Sequence, residues 1–135
     1  MSESASVRLH PRNWAAAKGF CHGIVAEGRH VFVAGQIGWN AEQRFESDDF
    51  VAQVEQALRN IAEVLAAAQA RPEHLVRLTW YVVDVDEYLA NLRHLGQIYR
   101  EIFGTHYPAM ALVQVVRLVE KAARVEIEAT AVVPR

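Results

Sequence analysis

The run Leu78-Thr79-Trp80-Tyr81-Val82-Val83 constrains the fold most, because apolar and aromatic side chains occupy nearly every position along it. Successive side chains of a β-strand point to opposite faces of a sheet. A strand of this composition is therefore typical of a sheet that is covered on both sides. We predict a strand over residues 75–85, in the interior of a sheet whose two faces must both be buried.

A long amphipathic helix precedes this strand. Apolar residues recur at spacings of three and four from Val51 to Ala68, which is the pattern of a helix with one buried face. Ser47 is the predicted N-cap, with Asp49 favourably placed against the helix dipole, and Pro72 ends the helix.

A second helix follows the strand. It is predicted to begin after Asp84 or Asp86 and to carry its apolar face from Tyr88 to Phe103. Gly104 suits the position just beyond its end.

The remaining strands lie near the two ends of the chain. Residues 24–26 and 31–34 flank the Gly28 turn, so a β-hairpin is predicted there, with residues 35–40 leaving the sheet. Two further strands are predicted over Met110–Leu118 and Arg124–Val133.

The predicted order is ββ-α-β-α-ββ, an α+β domain with one mixed sheet. Its two helices can cover only one face of that sheet. The other face also carries apolar residues, and a second copy of the chain is the simplest cover for it. We therefore expect a homo-oligomer.

Composition excludes several classes of protein. The 135 residues are 52% hydrophobic, with 7 Gly, 4 Pro and 1 Cys, which excludes collagen, low-complexity disorder and a disulfide scaffold. No apolar run is long enough for a membrane span, and no secretory signal is visible. The lone Cys21 fits a reducing compartment, so a cytoplasmic protein without a membrane partner is expected. A net charge of −2 argues against nucleic acid as a partner.

No cofactor or metal is expected, because the six histidines show no ligand spacing. Glu126 and Glu128 share one side of the last predicted strand, either as part of a solvated face or as carboxylates that orient a water molecule. Cys21 and His22 lie between two glycines, in a loop where reactive side chains often occur. A free cysteine is more commonly a small buried hydrophobe than a nucleophile, whereas His22 can donate or accept a proton.

Several segments in fixed order resemble the reactive intermediate deaminase (RidA/YjgF) family. In chain order, these segments are Val31-Phe32-Val33-Ala34-Gly35-Gln36-Ile37, residues 76–84, Tyr99 with Phe103-Gly104, Pro108-Ala109, and Val125-Glu126-Ile127-Glu128-Ala129. The similarity covers residues 19–133 of a single domain, 1–135, in which residues 1–18 form an N-terminal arm.

The resemblance implies a chorismate-mutase-like α+β fold assembled as a homotrimer, with ligand clefts at the subunit interfaces. Deaminating members hydrolyse 2-imino and 2-enamino acids without a cofactor and release ammonia. In them an arginine grips the substrate carboxylate and a glutamate helps to position water. Glu126 falls at the position of that glutamate, and the backbone of Gly35 is also retained.

The chain departs from the family at most other site positions. The family's arginine falls at Met110, its loop tyrosine at Cys21, the serine before Gly-Gln at Ala34, its cysteine at Leu112 and its helix asparagine at Gly96. Methionine cannot replace a bidentate guanidinium. Arg12, Arg29 and Arg44, all in predicted loops, are the candidates for a replacement cation.

Two functions of different class remain open, with a small-molecule substrate or ligand in each. The first is an imine or enamine deaminase in which Glu126 is catalytic and His22 assists. The second is a trimer that binds a small metabolite without turnover. In both, the expected ligand contacts are His22, Cys21, Gly35, Met110 and Leu112. An endoribonuclease or translation inhibitor, implied only by the family's history, is disfavoured by the net charge of −2.

Overall fold

A computed structural model describes residues 6–135 of the chain. Its helices and strands, in chain order, are β1 (Ser6–Leu9), β2 (Gly23–Ala26), β3 (Arg29–Ile37), α1 (Phe50–Ala67), β4 (Leu75–Val82), α2 (Val85–Ala90), α3 (Leu92–Phe103), β5 (Ala109–Gln114) and β6 (Val125–Val133), with a 3₁₀ turn at Pro72–His74 before β4.

The main sheet has four strands in the order β3-β6-β4-β5. Strand β6 pairs antiparallel with β3 and β4, and β5 pairs parallel with β4, so the sheet is mixed. The predicted α+β class with one mixed sheet is confirmed. The helices pack against one face, which we call the helix face, and the opposite side is the open face.

Helix α1 forms the centre of the core. Its buried side chains include Val54, Leu58, Ile61 and Leu65, in the same apolar cluster as Ile127 of β6. These positions follow the predicted spacing of three and four.

The N-cap of α1 is Asp49, whose carboxylate accepts a hydrogen bond from the Ala52 amide. The prediction of Ser47 as the cap was wrong. The Ser47 hydroxyl instead accepts from the Asp49 amide at 2.9 Å, so it stabilises the cap residue rather than the helix itself.

The single predicted second helix is divided into α2 and α3. Asp84 is the N-cap of α2, as predicted, and its carboxylate accepts from the Asp86 amide. Asn91 separates the two helices, and its side chain donates to the Glu87 carbonyl, a local bond that competes with continuous helix. Gly104 ends α3 with a φ of 75°.

The predicted β2–β3 hairpin was wrong. Strand β2 pairs with β1 in a separate two-stranded sheet, and β3 pairs with β6. Gly28, between β2 and β3, has a φ of 150°, and a Cβ there would collide with the Val133 carbonyl oxygen. The turn is thus adapted to the end of β6 rather than to a hairpin.

Other predicted strand ends also differ. Strand β4 ends at Val82 instead of Val85. Strand β5 ends at Gln114 instead of Leu118, because its neighbour β4 ends at Val82, and the last bond between them is from the Val115 amide to the Val82 carbonyl. Strand β3 continues to Ile37, past the predicted exit, with a register shift between Val33 and Gln36 that is typical of a β-bulge.

The open face of the sheet is uncovered in the single chain. Phe32 is 77% exposed, and Val113 is also exposed. Polar side chains of β4 and β6 lie between them on the same face. Nowhere in the segment 6–135 is there a helix long and apolar enough to cross a membrane.

Gln53 of α1 ties two loops to the core. It is 1% exposed, and its amide nitrogen donates to the Ser47 and Ala122 carbonyls at 3.1 and 2.9 Å, while its oxygen accepts from the Arg124 amide. A fully paired buried amide of this kind fixes the loops on either side of it.

We expect Gln53→Ala to lower the free energy of unfolding by about 2–4 kcal/mol, because it leaves buried backbone groups without partners. The matched control is Gln56→Ala on the same helix, since the Gln56 side chain, among residues 6–135, bonds only to the Asn60 side chain. Urea unfolding followed by circular dichroism measures both. Equal losses in the two variants would contradict the role given to Gln53.

Candidate functional site

The first group of predicted site residues lies on the open face. Alternation along β6 directs Val125 and Ile127 into the core, and it directs Glu126 and Glu128 to the other side. Glu126 stands opposite Tyr81 of β4, and the Tyr81 hydroxyl donates to Glu128 Oε1 at 3.0 Å. The two carboxylates therefore have different surroundings, and only Glu128 is held by the tyrosine.

Gly35 borders the Glu126 carboxylate directly. A Cβ at position 35 would collide with Glu126 Oε2 and would lie 2.7 Å from its Cδ. The bulge in β3 brings the backbone this close, and only glycine leaves room for the carboxylate there. The structure thus brings together two predicted site residues, Glu126 and Gly35.

The hydrogen bond to the Glu128 carboxylate raises the pKa of Tyr81, with smaller contributions from burial and from the charge of Glu126. An anionic acceptor favours the neutral phenol, which can donate, over the phenolate. Tyr81 is accordingly a hydrogen-bond donor that keeps Glu128 oriented.

The second group of residues faces the helices. Met110 lines a cavity of about 330 Å³, together with residues of the loop before β2 and residues of β4, α2 and α3. Five of the lining side chains are aromatic, and we call this space the aromatic cavity. These five are Phe20, Trp80, Tyr88, Tyr99 and Tyr107.

Ring contacts hold the wall of the aromatic cavity in place. Tyr99 stacks on Tyr107 with centroids 5.0 Å apart, and its hydroxyl donates to the His106 carbonyl at 2.7 Å. Trp80 meets Tyr88 edge-on at 5.9 Å. Burial raises the pKa of Tyr88 and of Tyr99, so neither ring brings a negative charge to the cavity.

The positive charges that line the cavity are those of Lys18 and Arg100. The three loop arginines considered from the sequence, Arg12, Arg29 and Arg44, are not among the lining residues, so they do not replace the lost guanidinium within one chain.

The sheet separates the two groups within one chain. Met110 and Leu112 pair with Leu78 and Trp80 of β4 and pack against the core. Glu126 and Gly35 lie on the opposite face. Leu112 is not among the residues that line the aromatic cavity.

Cys21 and His22 lie beside the start of β5. The Cys21 amide donates to the Pro108 carbonyl, and its buried thiol donates to the Gly23 carbonyl at 3.5 Å, which is the environment of a small packed hydrophobe. His22 is exposed and packs edge-on against Trp14 and Phe20. His22 therefore reaches the aromatic cavity only through the Phe20 ring.

Within residues 6–135, no group of three or more His, Cys, Asp or Glu side chains is arranged to hold a metal ion.

Sequence reasoning missed most of the cavity wall. Trp80, Tyr88, Tyr99 and Arg100 come from β4, α2 and α3, and the apolar pattern indicated only that the three aromatic residues are buried. The available signal was Gly96, a glycine inside a helix one turn before Arg100, because glycine is unfavourable in a helix interior and can indicate a packing requirement.

Comparison with known proteins decides the family. A family model described as Endoribonuclease L-PSP matches residues 11–133. The chain belongs to this family, which is the RidA/YjgF family. The match extends the sequence resemblance, set at residues 19–133, into the N-terminal arm.

Among relatives, the human 2-iminobutanoate/2-iminopropanoate deaminase is 31% identical over 77% of this chain and 73% of its own length. A RutC family protein from Pasteurella multocida is 31% identical over 92% of this chain and 95% of its own. The crystal structure of YyfB from Yersinia pestis, a member of the conserved Rid protein family, superposes with a TM-score of 0.85 at 34% identity, covering 96% of this chain and 99% of that one.

We expect Glu128→Gln to lower the pKa of one tyrosine in this RidA-family chain, because the carboxylate that favours the neutral Tyr81 hydroxyl is removed. Ultraviolet difference titration of the phenolate band measures the change. The control is Glu128→Gln combined with Tyr81→Phe, in which the shifted phase should be missing. A titration curve identical to that of the wild type would show that the hydrogen bond has no such effect.

Proposed function

We propose that the protein is a cytoplasmic, cofactor-independent deaminase that hydrolyses a small imine or enamine at sites shared between subunits of a homotrimer. The observation that carries the proposal is the Glu126 carboxylate, set against the Gly35 backbone on the open face. Membership of a family whose relatives include named 2-iminobutanoate/2-iminopropanoate deaminases supports the reaction class.

Glu126 would act as the general base. It takes a proton from a water molecule as the water oxygen bonds to the imine carbon, and the nitrogen receives that proton as the C=N double bond becomes single. Transfer of the second water proton to nitrogen accompanies cleavage of the C–N bond. One imine and one water thus give one carbonyl compound and one ammonia, with no oxidant or reductant required.

The shared site follows from the separation of Glu126 and Met110 by the sheet. A ligand in the aromatic cavity of one chain cannot touch Glu126 of the same chain through β4 and β6. The open face is uncovered and carries the exposed Phe32 and Val113, so it can pack against a second copy. A neighbouring open face would then bring Glu126 to the mouth of the cavity.

The roles of the other predicted contacts differ. Gly35 leaves space for the carboxylate, and Met110 shapes the cavity. His22 is the proposed auxiliary proton donor, held by the aromatic cluster of Trp14 and Phe20. Cys21 supports the loop rather than the chemistry, since its thiol is buried.

A second candidate is ligand binding without turnover. It is favoured by Met110, because an unpaired substrate carboxylate beside a methionine would cost several kcal/mol relative to the family's arginine clamp. Under this alternative, ligand binds the cavity and no ammonia is released.

The first experiment measures ammonia release from 2-imino acids generated in situ from alanine, leucine and phenylalanine, with 2-aminomuconate alongside. Glu126→Gln should lower the rate by at least about 100-fold, because the general base is lost. Glu63→Gln, which changes an exposed carboxylate of α1, is the control and should keep the wild-type rate. An unchanged rate in Glu126→Gln would remove that residue from the mechanism.

A complementation experiment tests the shared site. Glu126→Gln leaves the cavity intact, and Met110→Trp fills the cavity but leaves Glu126 intact. Co-refolding equal amounts of the two inactive variants should restore about one quarter of the wild-type rate, since one site in four then combines an intact cavity with an intact glutamate from a neighbour. No recovery from verified mixed trimers would contradict a shared site.

A further inference from the structure

The aromatic cavity is lined by positive charge without a compensating acid. Lys18 and Arg100 are lining residues, and none of the other lining side chains is a carboxylate. Among residues 6–135, neither cation takes part in an ion pair. A concave site with low-dielectric walls concentrates such a field, so it favours an anionic ligand.

Gly96 leaves space for the Arg100 side chain at this cavity. A Cβ at position 96 would lie 3.3 Å from Arg100 Nη1, so the guanidinium folds back by one helical turn over the glycine. Glycine inside a helix is unfavourable relative to alanine. Here it leaves space for the guanidinium along the cavity wall, and both residues line the cavity.

Trp80 supplies an independent sign of a missing partner. Its side chain lines the cavity and is 4% exposed, yet its indole Nε1 has no hydrogen-bond partner among the described residues. Buried donors are nearly always paired.

We propose that the aromatic cavity binds a planar aromatic carboxylate, with its ring against Trp80 and its carboxylate on the guanidinium of Arg100. Arg100 thus replaces the clamp that Met110 cannot provide, and Lys18 adds a second positive charge. The inference rests on the proposed function in one respect, since it takes this cavity to be the substrate site and so makes the substrate an aromatic imino acid.

The shape and size of the aromatic cavity support a ligand with a planar ring. A volume of about 330 Å³ is near the lower end for ligand pockets, so it suits one ring system of one or two fused rings. Aromatic walls favour a flat π-system over a puckered ring of equal size, because offset and edge-on contacts add to the area that is buried. A guanidinium pairs with a planar carboxylate through two parallel hydrogen bonds.

The binding test uses four probes and isothermal titration calorimetry on the full-length protein. They are 2-naphthoate, the neutral 2-naphthamide, the non-planar decahydronaphthalene-2-carboxylate and 2-naphthyl phosphate. We expect 2-naphthoate to bind about tenfold more tightly than the amide, the size expected for one charge-assisted pair. It should also bind more tightly than the saturated acid, which keeps the carboxylate but lacks the aromatic contacts. Tighter binding of the phosphate would assign the anion site to phosphate esters and overturn the carboxylate. Equal affinity for acid and amide would overturn the anion site altogether.

Binding measurements on variants test which residue binds the carboxylate of 2-naphthoate. Arg100→Gln should weaken 2-naphthoate about tenfold without affecting 2-naphthamide, and so remove the discrimination between them. Arg93→Gln is the matched control, since Arg93 is, like Arg100, an exposed arginine of the same helix, but it does not line the cavity. Trp80→Phe replaces the indole by a smaller ring, so it should weaken both probes through the lost ring contact. If Arg100→Gln still distinguishes 2-naphthoate from 2-naphthamide as the wild type does, the assignment of the carboxylate to Arg100 is overturned. If a variant fails to fold, the comparison of the probes on the unmodified protein still decides whether the cavity has an anion site.

Binding and turnover fail in distinguishable ways. Arg100-dependent binding of 2-naphthoate without ammonia from any imino acid supports the cavity and contradicts the deaminase. The opposite result is ammonia release from the imino acid of alanine, with no release from that of phenylalanine and no binding of 2-naphthoate. That result supports the deaminase and overturns the aromatic ligand.

Discussion

The alternation of side chains along β6 is the constraint on which the rest of the molecule depends. Val125 and Ile127 are buried beneath α1, and the intervening Glu126 and Glu128 must therefore face away from the helices. A one-residue slip in register would place carboxylates in the core. Packing of the apolar side of β6 therefore fixes the positions of the carboxylates on its other side. The same strand lies between β3 and β4, and it thereby sets Glu126 beside both Gly35 and Tyr81.

This constraint explains why the fold was largely readable from the sequence. The period of α1 and the alternation of β6 are strong, local patterns, and the structure confirms both, together with the capping of α2 by Asp84. The errors arose where the partner of an element is distant along the chain. Strand β2 pairs with the arm strand β1 rather than with β3, and β5 ends where β4 ends. Short apolar runs indicate strands, but they carry little information about which strand will be the neighbour.

The site was only partly predictable, for a related reason. Glu126 was a candidate from the alternation of β6 and from the family resemblance, and Gly35 from the resemblance alone, whereas the contact between them needs the bulge in β3. Arg100 was missed, because Gly96, one turn before it, can indicate close packing but does not indicate a cavity. It takes the folding of α3 over β4 and β5 to bring Arg100, Trp80 and Met110 to one space. The arginine candidates chosen from loops, such as Arg29, do not line this cavity within one chain.

Replacement of a guanidinium by Met110 changes the demands on the remainder of the cavity. An arginine on β5 would hold the ligand's carboxylate directly at the sheet. Arg100 instead approaches from a helix, and the sheet side of the cavity is left to apolar and aromatic groups. The distance between the anion and the sheet must then be filled by the ligand itself, and a flat ring fills it with contacts that an alkyl chain of the same length does not make. In the proposed binding mode, Met110 and the aromatic walls therefore act together, because the ligand's anion lies outward at Arg100 and its ring takes the space beside Met110.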